Sequence, residues 1–198
     1  AELIKYASNA FLATKIGFIN ELSGLCDLSG INVLEVARAI GMDPRIGSEF
    51  LNPGPGWGGS CLRKDLQELS GLAATHGYEL MIGRAVLDAN IRQHQYVVDR
   101  IERLVGSLPG SKIAVLGLSF KADTSDMRDS AAIPIVRRLQ ESGAHVTAFD
   151  PKAMPEAHHY LPGLSLAADP YEAAIDADCI VILTEWQEFQ LLDLRRIA

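Results

Sequence analysis

The chain has 198 residues, with 18 Lys and Arg against 25 Asp and Glu, a formal net charge of −7 and 48% hydrophobic residues. That apolar share excludes intrinsic disorder, the acidic balance argues against a nucleic-acid partner, and a chain of this size buries roughly 70% of its unfolded surface, enough for one large domain or two small ones. No apolar run approaches the ~20 residues of a membrane span, and three cysteines (Cys26, Cys61, Cys179) without metal-site spacing fit a reducing, cytoplasmic setting better than a disulfide framework.

Residues 2 to 29 read as one long helix. Leu3, Ile4, Phe11, Leu12, Ile16, Ile19, Leu22 and Leu25 recur at helical spacing, and Gly30 supplies the stop. Asn32 is placed to cap a second helix from Val33 to Ile40, closed by Gly41. Residues 42 to 61 hold three prolines and five glycines, a long irregular loop of the kind that is usually functional. Helices follow over 63–76 and from Glu79 to Val105. After the turn 108–111 the character changes. Lys112 to Leu116, His145 to Phe149 and Cys179 to Leu183 read as strands, alternating with helices at Ser130 to Ser142 and Tyr171 to Ala177. Strand–helix alternation implies parallel pairing with right-handed crossovers. The expected fold is a helical domain over 1–108 followed by a partial Rossmann-like parallel-sheet domain over 109–198. The start at Ala1 and the end at Ala198 both read as mid-element, as in a piece of a longer protein, and no signal-peptide pattern is present.

Cys61 ends the Gly-rich loop and directly precedes the third helix, close to Lys64 and Asp65. A helix N-terminus and a nearby cation both favour thiolate, the form that attacks carbon. The alternative is a small residue closing a tight turn, and the spacing leaves both open. Lys5 and Asn9, four apart, share one helix face and can together hold an oxyanion or simply be solvated. The segment from Gly117 to Ser130 follows the first parallel strand, where open α/β sheets bind ligands, and carries Lys121 and Arg128 for phosphate. It lacks the G-x-G-x-x-G fingerprint of a dinucleotide site. Cys26 and Cys179 read as core residues, and His158-His159 as a surface pair in a loop.

Nine pieces, in order along nearly the whole chain, resemble the UDP-glucose 6-dehydrogenase family. They are residues 1–6, Asn9-Ala-Phe, Phe18-Ile-Asn-Glu21, Asp43-Pro-Arg-Ile-Gly47, the run from Phe50 to Cys61, Lys64-Asp65, Val115-Leu-Gly-Leu-Ser-Phe-Lys121, Asp126-Met-Arg128 and Ile182-Leu-Thr-Glu-Trp186. The resemblance implies a central helical dimerisation domain and a shortened UDP-binding α/β domain, without the family's N-terminal NAD domain, whose further catalytic Thr and Glu are then also absent. It implies oxidation of the C6 alcohol of UDP-glucose to UDP-glucuronate, a polysaccharide precursor, with two NAD.

In that reading Cys61 attacks the C6 aldehyde, giving a thiohemiacetal and then a thioester. Lys5 stabilises the developing oxyanion with Asn9, and Asp65 orders water or moves protons. Substrate contacts carry over to Phe50, Leu51, Asn52, Pro53, Gly54, Gly58 and Lys121. Arg45 corresponds to an arginine that reaches the partner subunit's substrate, and Lys64 and Arg128 to NAD contacts. Leu62-Arg63 departs from the family's usual Phe-Pro, and Ser60 favours UDP-glucose over amino sugars. The isolated chain is expected to form a homodimer and not to reduce NAD. The other readings are a non-catalytic nucleotide-sugar-binding or dimerisation module, and a GDP-mannose dehydrogenase.

Overall fold

A computed structural model describes residues 2–197 of the chain, which divides by packing into two units, Ala1–Gln93 and His94–Ala198. The first unit is helical: α1 (Glu2–Ser29), α2 (Val33–Gly41), α3 (Ser60–Thr75) and the first half of α4 (Met81–Val105). Helix α1 stops where Gly30 turns to φ 66° and Ile31 N–H bonds back to the Cys26 carbonyl. The Asn32 side chain caps α2 by accepting from Leu34 N–H.

Helix α3 begins three residues before the expected 63. Gly59, at φ 84°, makes the turn into it without any side-chain cap, so the start carries no capping signature and Cys61 lies in the first helical turn. Helix α4 begins at Met81 rather than Glu79. It serves both units, its first half packing in one and its second half in the other, whereas the expected division between 108 and 109 lies just beyond its end at Val105.

Helix α1 packs along α3 and against α2, burying Ala13, Gly17, Ile19, Asn20, Ser23 and Cys26. Ala13, Trp57, Leu66 and Val86 form one small core, and Ile19, Ala37 and Leu51 another. The apolar period of α1 is not all core. Ile4, Phe11, Phe18 and Leu25, seven residues apart, are between 52% and 73% exposed and form a stripe along the helix.

The second unit is a four-stranded, wholly parallel sheet in the order β3-β2-β1-β4, built from β1 (Lys112–Leu116), β2 (His145–Phe149), β3 (Ser165–Leu166) and β4 (Cys179–Ile182). Around it lie α5 (Ala132–Glu141), α6 (Met154–Tyr160), α7 (Pro170–Ala173), α8 (Gln187–Gln190) and a short 3-10 turn at Leu194–Arg196. The period-two alternation of β1 sends Ile113 and Val115 into the core against α5, and Ala114 and Leu116 into the core of Trp186 and Phe189. The helices expected at 130–142 and 171–177 are shorter than their patterns.

One reading of the sequence is corrected. His158 and His159 do not sit in a loop but on α6. That seven-residue helix has too few turns to show a period, and its approach is fixed from outside. The Asp150 carboxylate accepts from the amides of Lys152 and Ala153 just before it.

Candidate active site

Two helices distant in sequence, α1 and α3, meet at Asp65, one turn into α3. Its carboxylate is 1% exposed. Asn9 Nδ2 donates to Oδ2 at 2.5 Å, and Lys5 Nζ stands 3.3 Å from Oδ2 and 3.4 Å from Oδ1. The i, i+4 pair on α1 therefore reaches toward α3, and Lys5 does so from a solvent-exposed position. A buried carboxylate is tolerated only when paired and hydrogen-bonded, and here both partners come from α1. The Lys5 side chain stays 64% exposed, so its ammonium is fixed on one side and open to a ligand on the other. Cys61 lies one turn before Asp65 in α3 and is an exposed free thiol. Cys26 is buried, and burial pushes the half-buried Cys179 thiol up, the opposite of what a nucleophile needs.

The Gly-rich loop before Cys61 is held from two helices. Asn20 Oδ1 of α1 accepts from Gly54 N–H at 2.8 Å, and Gln93 Nε2 of α4 donates to the Gly54 carbonyl at 2.7 Å. Asn90 of α4 bonds both the N–H and the carbonyl of Trp57, at 2.9 and 3.0 Å. Phe50 opens the loop at φ 62°, left-handed backbone that a bulky side chain rarely adopts. Leu51 is buried, whereas Phe50 and Asn52 are exposed and Pro53, Gly54 and Gly58 half-buried. Arg45 sits in the preceding turn. Its guanidinium forks onto Asp43 at 2.6 to 3.2 Å and holds that carboxyl below the usual range. Lys15 ties the turn to α1 through the carbonyls of Ile46 and Gly47.

Lys121 and Arg128 belong to the second unit, in the loop after β1. Lys121 is exposed, 5.5 Å from the centre of the neighbouring Phe120 ring. Arg128 forks onto Asp126 and holds it below the usual carboxylate range. The base of this loop is rigid. Asp150, at the carboxyl end of β2, accepts from the amides of Leu118 and Ser119, the Ser119 hydroxyl and the Trp186 indole. In a dinucleotide-binding unit the acid at this place holds a ribose. Here Asp150 is fully buried and its oxygens are committed to six internal donors. At the end of β1 the backbone of Gly117 lies directly against Thr184, and a Cβ there would stand 2.5 Å from Thr184 Cβ.

Sequence reasoning singled out Lys5, Asn9, Cys61 and Asp65, which lie together on α1 and α3. It missed Asn20, Asn90 and Gln93. Their signal was present but unspecific: amides within long helices, on the faces turned to the core.

Two family models match the chain: the central domain of the UDP-glucose/GDP-mannose dehydrogenase family over residues 1–92, and that family's UDP-binding domain over residues 114–198. A UDP-glucose 6-dehydrogenase of Rhizobium meliloti is 50% identical over the whole chain, which covers 45% of that protein. The structure of a UDP-glucose dehydrogenase from Pyrobaculum islandicum is 38% identical and superposes with a TM-score of 0.93 over 98% of this chain and 45% of its own. A GDP-mannose dehydrogenase of Pseudomonas aeruginosa is 28% identical, with a TM-score of 0.66 over 94% of this chain and 45% of its own. The chain thus spans less than half the length of these proteins.

Proposed function

We propose a function from one premise: the chain belongs to the UDP-glucose/GDP-mannose dehydrogenase family. It carries the nucleophile, the substrate loop and the UDP-binding unit of an enzyme that oxidises UDP-glucose to UDP-glucuronate. The observation that carries this reading is the junction of Lys5 and Asn9 with buried Asp65, one turn from the exposed thiol of Cys61. A module that only bound or dimerised would need no nucleophile beside a shielded carboxylate.

The whole oxidation removes two hydrides from C6 and adds one water oxygen, and NAD supplies the acceptor for both hydrides. This chain offers NAD two exposed cations, Lys64 and Arg128, and among the described residues the acid at the ribose-binding place of the sheet unit, Asp150, is taken by internal bonds. The dinucleotide cradle is assigned to a domain outside these 198 residues.

The protein's own groups do the rest. Lys5 and Asn9 stabilise negative charge on the C6 oxygen. Cys61 Sγ adds to the carbonyl carbon of the aldehyde, forming a C–S bond and a thiohemiacetal whose oxygen faces Lys5. After the second oxidation the carbon is a thioester. A water ordered by Asp65 attacks it, the C–S bond breaks, and the thiolate leaves as the carboxylate forms. Asp65 suits this role because its oxygens are oriented by two side chains that are themselves in reach of a substrate. The loop from Phe50 to Gly54, Gly58 and Lys121 are assigned to the nucleotide sugar, and Arg45 to the partner subunit's substrate.

The stripe Ile4, Phe11, Phe18 and Leu25 supports a homodimer through α1. Cytoplasmic location and a role in polysaccharide precursor supply belong to the same proposal. The described residues hold no helix long and apolar enough to cross a membrane.

The test is a calorimetric titration of the chain with UDP-glucose and with GDP-mannose, plus an assay for NADH. Saturable binding of UDP-glucose alone, with no NADH formed, is expected. Preference for GDP-mannose would move the chain to the other branch of the family, and NADH production by the chain itself would refute the assignment of NAD to another domain.

A further inference from the structure

In the Gly-rich loop, Gly54 and Trp57 each have both backbone N–H and C=O bonded to side chains. Gly54 N–H gives to Asn20 and its carbonyl accepts from Gln93, while Trp57 N–H gives to Asn90 and its carbonyl accepts from the same amide. Three carboxamides from two helices thus do for the loop what a neighbouring strand does for an edge. All three are buried, with Asn20 2%, Asn90 8% and Gln93 9% exposed. A buried amide bonded to main chain holds position strongly, because releasing it leaves both partners unsatisfied away from water. The Trp57 side chain adds a second anchor, packing with Ala13 of α1, Leu66 of α3 and Val86 of α4.

Between this anchor and Cys61 lie only Gly58, Gly59 and Ser60, and Gly59 at φ 84° is the turn into α3. The position of Trp57 therefore fixes where Cys61 enters the helix. Leu66, against which Trp57 packs, directly follows Asp65.

We propose that Asn20, Asn90 and Gln93 are positioning residues: a three-amide clamp that presents the loop backbone to the nucleotide sugar and sets Cys61 at the start of α3. The sugar part of this statement rests on the proposed function; the clamp on the loop does not. The clamp also accounts for the glycines. A loop held by side chains inserted against its main chain needs residues with little bulk beside the held points, and Gly56 and Gly58 flank Trp57.

The experiment uses the full chain with Asn90→Ala and Gln93→Met, the second close to isosteric but lacking the donor. Gln95→Met, an exposed position on the same helix whose amide bonds Asp99, is the control. Three readouts are taken: emission of Trp57 in a Trp186→Phe background, the alkylation rate of Cys61 mapped by mass spectrometry, and affinity for UDP-glucose. Both clamp variants are expected to keep their helix content, shift Trp57 emission to the red, change the Cys61 rate and weaken UDP-glucose binding about tenfold or more, with the control unmoved. Folded variants with unchanged emission and unchanged Cys61 rate would overturn the clamp. Loss of helix content in both variants would overturn it as well, since the amides would then hold the fold and not the loop. If the unsubstituted chain fails to bind UDP-glucose, the substrate reading falls, and emission and alkylation still decide the clamp.

Discussion

Each unit buries one carboxylate almost completely, and the two are satisfied in opposite ways. Asp65 is held by two side chains, Lys5 and Asn9, and one of them keeps its charged head in solvent. Asp150 is held by four backbone amides, a hydroxyl and an indole, with no cation against it among the described residues. A carboxylate bound by main chain beyond two strand ends, and by the Trp186 indole beyond a third, is scaffolding, since moving it moves the sheet. A carboxylate bound by side chains can exchange its partners when a substrate arrives. Burial alone therefore does not mark a functional acid, but the kind of donor around it does.

The largest expected effect separates these roles. Asp150→Ala would orphan six donors in a site closed to water and cost the sheet unit on the order of 3–5 kcal/mol, enough to unfold it. Asp65→Ala leaves Lys5 solvated and only Asn9 short of a partner, so its stability cost is about 1–2 kcal/mol. Denaturant midpoints of the two variants check this. Equal losses would break the distinction drawn between the two acids.

The same contrast explains what the sequence disclosed. The sheet unit is legible because strands of alternating or continuous apolar residues and glycine stops are local signals. Its exceptions, α6 and the two-residue β3, are places where order comes from Asp150 and from neighbouring strands rather than from a local period. In the helical unit, Lys5 with Asn9 could be paired by spacing within α1, whereas Cys61 reads as the last residue of the loop before the helix that carries Asp65, and only the structure puts both in α3. That the two pairs converge is tertiary information, as is the amide clamp, because nothing in α1 or α4 encodes which backbone its amides will meet. The exposed half of the α1 pattern has a related cause. Periodicity reports that a face is apolar and not what covers it.

Gly117→Ala is the next largest effect. The backbone there is at φ 95°, and a Cβ would come within 2.5 Å of Thr184 Cβ and 2.6 Å of its amide nitrogen. Thr184 in turn donates its hydroxyl to the Ser119 carbonyl in the loop that carries Lys121. The substitution should cost roughly 2–4 kcal/mol, lower the melting temperature of the sheet unit and leave the Cys61 alkylation rate unchanged. A change at Cys61 would show that the scaffold and the thiol are coupled.

A smaller effect probes exposed surface. Phe11→Glu puts a charge in the middle of the heptad-spaced stripe and should weaken self-association by about 2 kcal/mol, some thirtyfold, in sedimentation equilibrium. Leu191→Glu, an equally exposed apolar position in the other unit but outside any stripe, should leave it unmoved. If both substitutions dissociate the chain, or neither does, α1 is not the dimer face.

The smallest effect is the most diagnostic of the Asp150 scaffold. Burial pushes its carboxyl up, but the amides of Ser119, Leu118, Lys152 and Ala153 together outweigh burial and leave it below the ordinary value. A carboxyl with a depressed folded pKa contributes stability that is fully present above its unfolded value, about 3.9, and is lost as pH falls through the folded one. The denaturant midpoint of the sheet unit should therefore be flat from neutral pH down to about 5 and fall below 4. Asp150→Asn gives the sign its control, because an amide cannot lose a charge and already turns one NH2 toward donors. It starts less stable than the native chain, and the gap should narrow as acid protonates Asp150 in the latter. A gap that stays constant with pH would mean that the charge of Asp150 contributes nothing beyond its shape, and the six donors would then be held as well by any acceptor of the same size.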